Sequence, residues 1–176
     1  VMVLSASAQT NSFTIPTWAF DRGNVKTFTE QYADAGPMVA FGGISPVVVE
    51  YDIDFPLTAD YALSILYAAA SARPVDLLLD GKELGPCCRA ATGSWNSSGA
   101  KWEPAARVNI PQGKHTLKLT REQSFPHVVS LRFDSAAPLP PGWALNRPTA
   151  RQLSAPAPPP SAGGDVTEPS PAALRL

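Results

Sequence analysis

Charge is scarce in this chain. Asp, Glu, Lys and Arg make up only 16% of it and sum to -1, against about a quarter of residues in ordinary globular domains. Lys and Arg are scattered without a basic stripe, which removes the electrostatic footprint that nucleic acid or an anionic membrane surface requires. Long apolar runs are missing as well. No stretch of about 18 apolar residues occurs, so no segment reads as a membrane-spanning helix. Cysteine is limited to Cys87 and Cys88. There is no C-x-x-C and no Cys/His zinc spacing, and adjacent cysteines rarely ligate one ion, so no metal site is expected from them. G-x-S-x-G, H-E-x-x-H and P-loop sequences are all absent, and the chain is read as a non-enzyme. Glu50, Asp52 and Asp54 form a carboxylate row, and a glycosidase does need two carboxylates across a cleft. Their spacing of two along a strand instead marks one solvated face.

What is present points to strands. In Val47–Phe55, V-V-V-E-Y-D-I-D-F, the residues Val49, Tyr51, Ile53 and Phe55 share one face, and Val48, Glu50, Asp52 and Asp54 share the other. That period of two predicts a strand with one dry and one wet face. Residues 60–69 repeat it, with Tyr61, Leu63, Ile65 and Tyr67 on one side; the flanking Pro56 and Pro74 favour a strand over a helix there. Asp80-Gly81 is a residue pair suited to the positive φ of a type I′ turn, and predicts a hairpin between residues 74–79 and 82–84. Shorter strands are expected at 12–20 (broken by Pro16), 25–29 and 38–41, and longer ones at 102–110, 115–120 and 128–133. In 102–110, Ala106, Val108 and Ile110 share a face, and Trp102 is expected inside. The order is that of an all-β, antiparallel β-sandwich.

At 176 residues the chain reads as one domain with trimmings. Residues 11–135 are assigned to the sandwich. Residues 1–10 hold Ala6-Ser7-Ala8 before Gln9, the small-x-small form of a signal-peptidase site, and are read as the remnant of a secretion signal or, alternatively, as a first strand. Residues 136–176 hold ten of the 19 prolines and form an irregular Pro-rich tail, a linker or a docking arm. Trp143 and Leu145 are expected to pin its start to the sandwich.

Six motifs stand in order across residues 20–134: F-D-R-G-N-V at 20–25, V-E-Y-D-I-D-F-P at 49–56, A-D-Y-A-L-S-I-L-Y-A-A-A at 59–70, R-P-V-D-L-L-L-D-G-K at 73–82, T-G-S-W at 92–95 and Q-G-K-H-T-L-K-L at 112–119. In these the chain resembles the family 6 and related carbohydrate-binding modules, especially modules embedded in large bacterial surface or periplasmic proteins. The resemblance implies a galactose-binding-like jelly-roll of two antiparallel sheets that binds glycans without cleaving them. It also implies a cleft at the connecting loops, with an aromatic pair around a sugar ring and an amide on its hydroxyls. A secreted, periplasmic or cell-surface location follows, with a polysaccharide, or a protein partner in a larger assembly, as the ligand.

Trp and Tyr suit that task because each joins a flat apolar face to a polar tip. Trp95 lies where the family's T-G-S-W aromatic falls, and Asn96 stands beside it. Tyr32 or Phe41 would form the opposing wall. Where the family carries an Asn near the last strand, this chain has His127, whose neutral ring both donates and accepts and which is equally read as a structural loop histidine. The family's structural calcium loses its acidic ligands, since Pro16-Thr17-Trp18 replaces E-A-E and Asp134 alone is not a site; a metal held by backbone carbonyls stays open, and no cofactor is assigned. Cys87-Cys88 is read either as a vicinal disulfide, forming a flat plate on its loop, or as two thiols, one or both bonded to another chain. Asn96-Ser97-Ser98 also matches a glycosylation sequon.

Overall fold

A computed structural model describes residues 10–146. The signal-like segment before residue 10 and the tail beyond 146 lie outside the described residues. Among the described residues there are eleven strands: β1 (Ser12–Pro16), β2 (Arg22–Gly23), β3 (Lys26–Phe28), β4 (Met38–Ala40), β5 (Val47–Phe55), β6 (Ala59–Ala68), β7 (Val75–Leu79), β8 (Lys82–Cys87), β9 (Lys101–Ile110), β10 (Gly113–Arg121) and β11 (His127–Ser135). All pairings are antiparallel. One sheet runs β3-β4-β11-β6-β9, with β1 also paired to β11; the other runs β2-β5-β10-β7-β8. The protein is an all-β sandwich. Among the described residues no helix is long and apolar enough to cross a membrane.

The two alternating segments carry the core. In β5 the residues Val47, Val49, Tyr51, Ile53 and Phe55 are buried, and in β6 Tyr61, Leu63, Ile65 and Tyr67 are. Each such side chain contributes about 1.5–3 kcal/mol by leaving water, so a one-residue slip in register would forfeit the whole set. The wet face of β5 is organised by Arg22, which binds Glu50 at 2.8 Å and forks onto both oxygens of Asp52 at 2.7 and 2.8 Å. The acidic row is thus tied to the strand beside it. Asp80 and Gly81 take φ of 50° and 79°, as the hairpin requires.

Two close approaches lock β2 to its surroundings. Asn24 donates from Nδ2 to the Pro46 carbonyl and accepts from the Val48 N–H, both at 2.8 Å. A Cβ placed on Gly42 would stand 2.2 Å from the Asn24 carbonyl oxygen. Backbone on both sides leaves nothing flexible to move. Gly42→Ala is therefore expected to destabilise the fold by about 1–3 kcal/mol, read as a lower urea midpoint with an unchanged slope.

Trp102 overturns its expectation. It is 46% exposed. Counting back by twos from Ile110 puts it inside, but the β6–β9 register shifts between Leu63 and Ser64, whose partners are Ala106 and Pro104. The extra residue, Ala105, is a bulge that inverts the faces beyond it. Trp102 then stands opposite outward-facing Leu66, and Glu103 turns inward opposite Ile65.

The ends of the sandwich differ. At one end Phe13, Phe55, Tyr61 and Phe133 form a ring cluster, with Phe13 and Phe133 stacked at 5.1 Å. The start of the Pro-rich segment covers it: Trp143 meets Phe13 edge-on at 5.1 Å, Leu139 is buried, and Leu145 packs on the core. At the other end, reached by the C-terminus of β6 and the start of β11, the longer loops gather.

Candidate functional site

That open end is built from four connections: residues 29–37 between β3 and β4, 69–74 between β6 and β7, 88–100 between β8 and β9, and 122–126 between β10 and β11. The T-G-S-W motif explains how the third is docked. Thr92 pairs with the end of β6, its N–H donating to the Ala69 carbonyl at 2.7 Å and its Oγ1 accepting from the Ala69 N–H at 2.9 Å. Gly93, at φ 89°, turns the chain where a side chain would be strained. Ser94 Oγ accepts from the Asn96 N–H at 3.0 Å, which leaves Trp95 projecting from a pinned loop.

Three sequence-predicted residues meet here. The His127 ring lies 5.1 Å from Tyr32 and 5.2 Å from Trp95, with Phe28 5.8 Å away on the same side. Tyr32 is 39% exposed and holds a left-handed backbone, φ 63°. His127 is buried, and its Nδ1 donates to the Trp95 carbonyl at 2.6 Å, so it braces the two rings from behind. Burial, with Arg73's charge as a lesser cause, pushes its pKa below the ordinary value although the Trp95 carbonyl acts the other way. Trp95 is half-buried against the core, and the Arg73 guanidinium lies 4.0 Å over its ring. Phe41 is not part of the group; it follows β4 and packs on the core.

Asp34 staples two of the loops. Its carboxylate accepts from Asn96 Nδ2 (3.2 Å), Ser97 Oγ (3.2 Å), Ser98 N (3.0 Å) and Ser98 Oγ (2.6 Å). The Ser97 N–H donates to the Tyr32 carbonyl at 2.7 Å, and Ser97 Oγ accepts from the Ala35 N–H at 2.8 Å. Asn96 is thus exposed but committed on one side to Asp34. These donors, Ser98's first, lower the Asp34 pKa from 3.8 to about 2. A depressed carboxylate stabilises the fold fully above its unfolded pKa and loses that contribution as pH falls through the folded value. The amide protection factors of Ser97 and Ser98, rates taken relative to the unstructured chain at the same pH, are expected to hold at pH 5 and to fall between pH 4 and 2; in Asp34→Ala they should be low throughout.

Sequence reasoning missed Arg73 and Asp34, whose partners stand far away in the chain. It also left Cys87 and Cys88 open between two states. They are free thiols, both fully buried, with Cys87 Sγ 3.5 Å from the Val75 carbonyl. Both side chains lie in the core rather than displaying a flat plate on the loop. The hydrogen bond between the two cysteine side chains, and then burial, raise the Cys88 thiol pKa.

The residues at the family's calcium position do not fit that ion. The buried Thr17 hydroxyl donates to the Val128 carbonyl, and Asp134 is taken by Arg132 at 2.8 Å. Among the described residues no group of three or more His, Cys, Asp or Glu is placed to hold a metal.

Among the described residues two concavities lie elsewhere on the sandwich. A groove of about 890 Å³ crosses β6, β9 and the end of β11, with Ala62, Ser64, Ala105, Arg107 and Asn109 in its lining. A smaller one, about 320 Å³, lies between Asp21, Asp52, Asp54, Lys114 and Trp143. The large groove has no exposed ring in its lining, its Tyr61 being buried, so it offers a sugar little flat aromatic surface. The loop end does offer one.

No family model matches the chain, and no curated protein matches it. Solved structures do. The C-terminal CBM6 of LamC, a marine laminarinase from Zobellia galactanivorans, is 18% identical with a TM-score of 0.60 over 71% of this chain and 100% of that one. A family 35 carbohydrate-binding module from Clostridium thermocellum is 19% identical with a TM-score of 0.57, over 71% of this chain and 98% of that one. The fold is that of carbohydrate-binding modules. Families 6 and 35 match it alike, so the resemblance to family 6 in particular becomes a resemblance to this wider group. The GH26-CBM35 β-(1,4)-mannanase of Podospora anserina also matches, with 19% identity and a TM-score of 0.59 over 74% of this chain, which spans 29% of that protein's length.

Proposed function

We propose that this chain is a non-catalytic glycan-binding module of an exported protein, and that it binds at the loop end around Tyr32. One observation carries the reading: the His127 ring, at the head of β11, gathers two rings from separate connections, Tyr32 at 5.1 Å and Trp95 at 5.2 Å. Tyr32 offers the open face for a sugar ring. Arg73 and Asn96 supply donors at its margin, and the Asp34 staple holds the loops in place before binding, which limits the ordering entropy lost. Trp95 acts beneath Arg73 as a support rather than as an open platform. The secreted, periplasmic or cell-surface location belongs to the same proposal, since polysaccharide is met there.

Affinity electrophoresis through gels cast with a panel of plant, algal and microbial polysaccharides tests it. Retarded migration on at least one gel is expected; unretarded migration on every gel would remove the reading. A second reading, an assembly subunit that uses the same sandwich for protein contacts, is favoured by the exposed apolar Ile44 (61%) and Trp102 (46%). It would gain if deleting residues 136–176 released a co-purifying protein.

A further inference from the structure

Resting on the glycan-binding reading, we propose that the loop end selects an anionic glycan, whose acid group is seated on Arg73 with Arg121 behind it. Both arginines bind backbone carbonyls. Arg73 Nη1 donates to Phe125 O at 2.9 Å; Arg121 donates from Nε to Ser124 O at 2.9 Å and from Nη1 to Pro74 O at 2.5 Å. Among the described residues neither meets a carboxylate within 4.0 Å, whereas Arg22, Arg89 and Arg132 each do. The two cations are close enough to disfavour each other, with burial the larger and Arg121 the lesser cause of a lowered Arg73 pKa.

This arrangement leaves positive charge partly removed from water without a counter-ion, which is costly until an anion arrives. Stacking on Trp95 fixes the guanidinium plane. With one N–H on Phe125, most of its donors are left for a planar, bidentate match to a carboxylate or a sulfate. The remaining charges at this end do not cancel it. Asp34 is taken up by donors from Asn96, Ser97 and Ser98. Glu30 and Glu122, on flanking connections, are exposed and form no ion pair with either arginine. The net charge of -1 makes general adhesion to polyanions a poor rival explanation.

The test is affinity electrophoresis on four gels: polygalacturonate, the same polymer fully methyl-esterified, a sulfated galactan and a neutral galactan. The wild type, Arg73→Gln and Arg22→Gln are run on each. Arg73→Gln keeps an amide donor for Phe125 O, and far-ultraviolet circular dichroism confirms its fold. Retardation by polygalacturonate, by sulfated galactan or by both is expected, and the pattern identifies carboxylate or sulfate as the source of charge. Esterification, or Arg73→Gln, should weaken it about ten-fold or more, the scale of a lost charge-assisted hydrogen bond. Arg22→Gln removes the same charge elsewhere and should change nothing. Equal retardation by the esterified or neutral gels, unaltered in Arg73→Gln, would overturn anionic selection and leave glycan binding standing. No retardation on these four gels would overturn anionic selection, while the wider polysaccharide panel decides glycan binding separately.

Discussion

Replacing Phe133 with alanine is expected to cost about 3–5 kcal/mol, the range for removing a fully buried aromatic ring. Phe133 is 1% exposed. It stacks on Phe13 at 5.1 Å and meets Phe55 edge-on at 5.3 Å. It therefore joins β11 and β1 of one sheet to β5 of the other. Collapse around the cavity is limited because both neighbours are themselves held, Phe55 by Tyr61 and Phe13 by Trp143. At a few degrees per kcal/mol for a domain of this size, the melting temperature should fall by roughly 8–15 °C. The protein that remains folded should bind its ligand as the wild type does, because this cluster seals the end of the sandwich away from Tyr32 and Trp95. A fall in affinity at a temperature where the variant is fully folded would mean that the two ends are coupled.

Tyr32→Ala is expected to do the opposite: little loss of stability and a large loss of binding. The ring is 39% exposed, so its burial contributes less to folding than a core ring does. Its backbone role survives truncation, since the carbonyl that accepts from Ser97 remains. The left-handed backbone at φ 63° carries the same Cβ penalty in tyrosine and alanine, so truncation adds no new backbone strain. Losing the open aromatic face beside His127 should weaken glycan binding by about 2 kcal/mol or more, some thirty-fold. Phe41→Ala, whose ring packs on the core away from the group, should leave affinity unaltered once the protein is folded. Titration calorimetry on any polysaccharide that retards the wild type separates these cases.

How much could be read from residues alone follows from the range of the interactions. The faces of β5 and β6 were legible because one side is dry and the alternation is uninterrupted. The hairpin at Asp80-Gly81 was legible because its signal lies in two adjacent residues. Trp102 was assigned to the wrong face because a single bulged residue, Ala105, inverts the period, and nothing local announces a bulge. At the site, Trp95, Asn96, Tyr32 and His127 were nominated from a motif and from residue chemistry. Phe41 was nominated beside Tyr32, and only the path of the 29–37 connection distinguishes them. Arg73 over Trp95 was illegible, since it depends on two connections meeting in space. The same holds for Asp34, whose partners are more than sixty residues along. The cysteine pair was ambiguous because adjacency permits a disulfide, and nothing in the spacing announces that both side chains lie buried in the core.

The most direct single measurement is amide chemical-shift mapping of the ¹⁵N-labelled protein, titrated with an oligosaccharide from the best-retarding gel. Shifts confined to residues 30–36, 73, 92–99 and 125–127 are expected, with Tyr32 and Asn96 among the largest. Shifts centred on the β6–β9 groove at Ala62, Ser64 and Ala105, with the loop end silent, would contradict the assignment of the site.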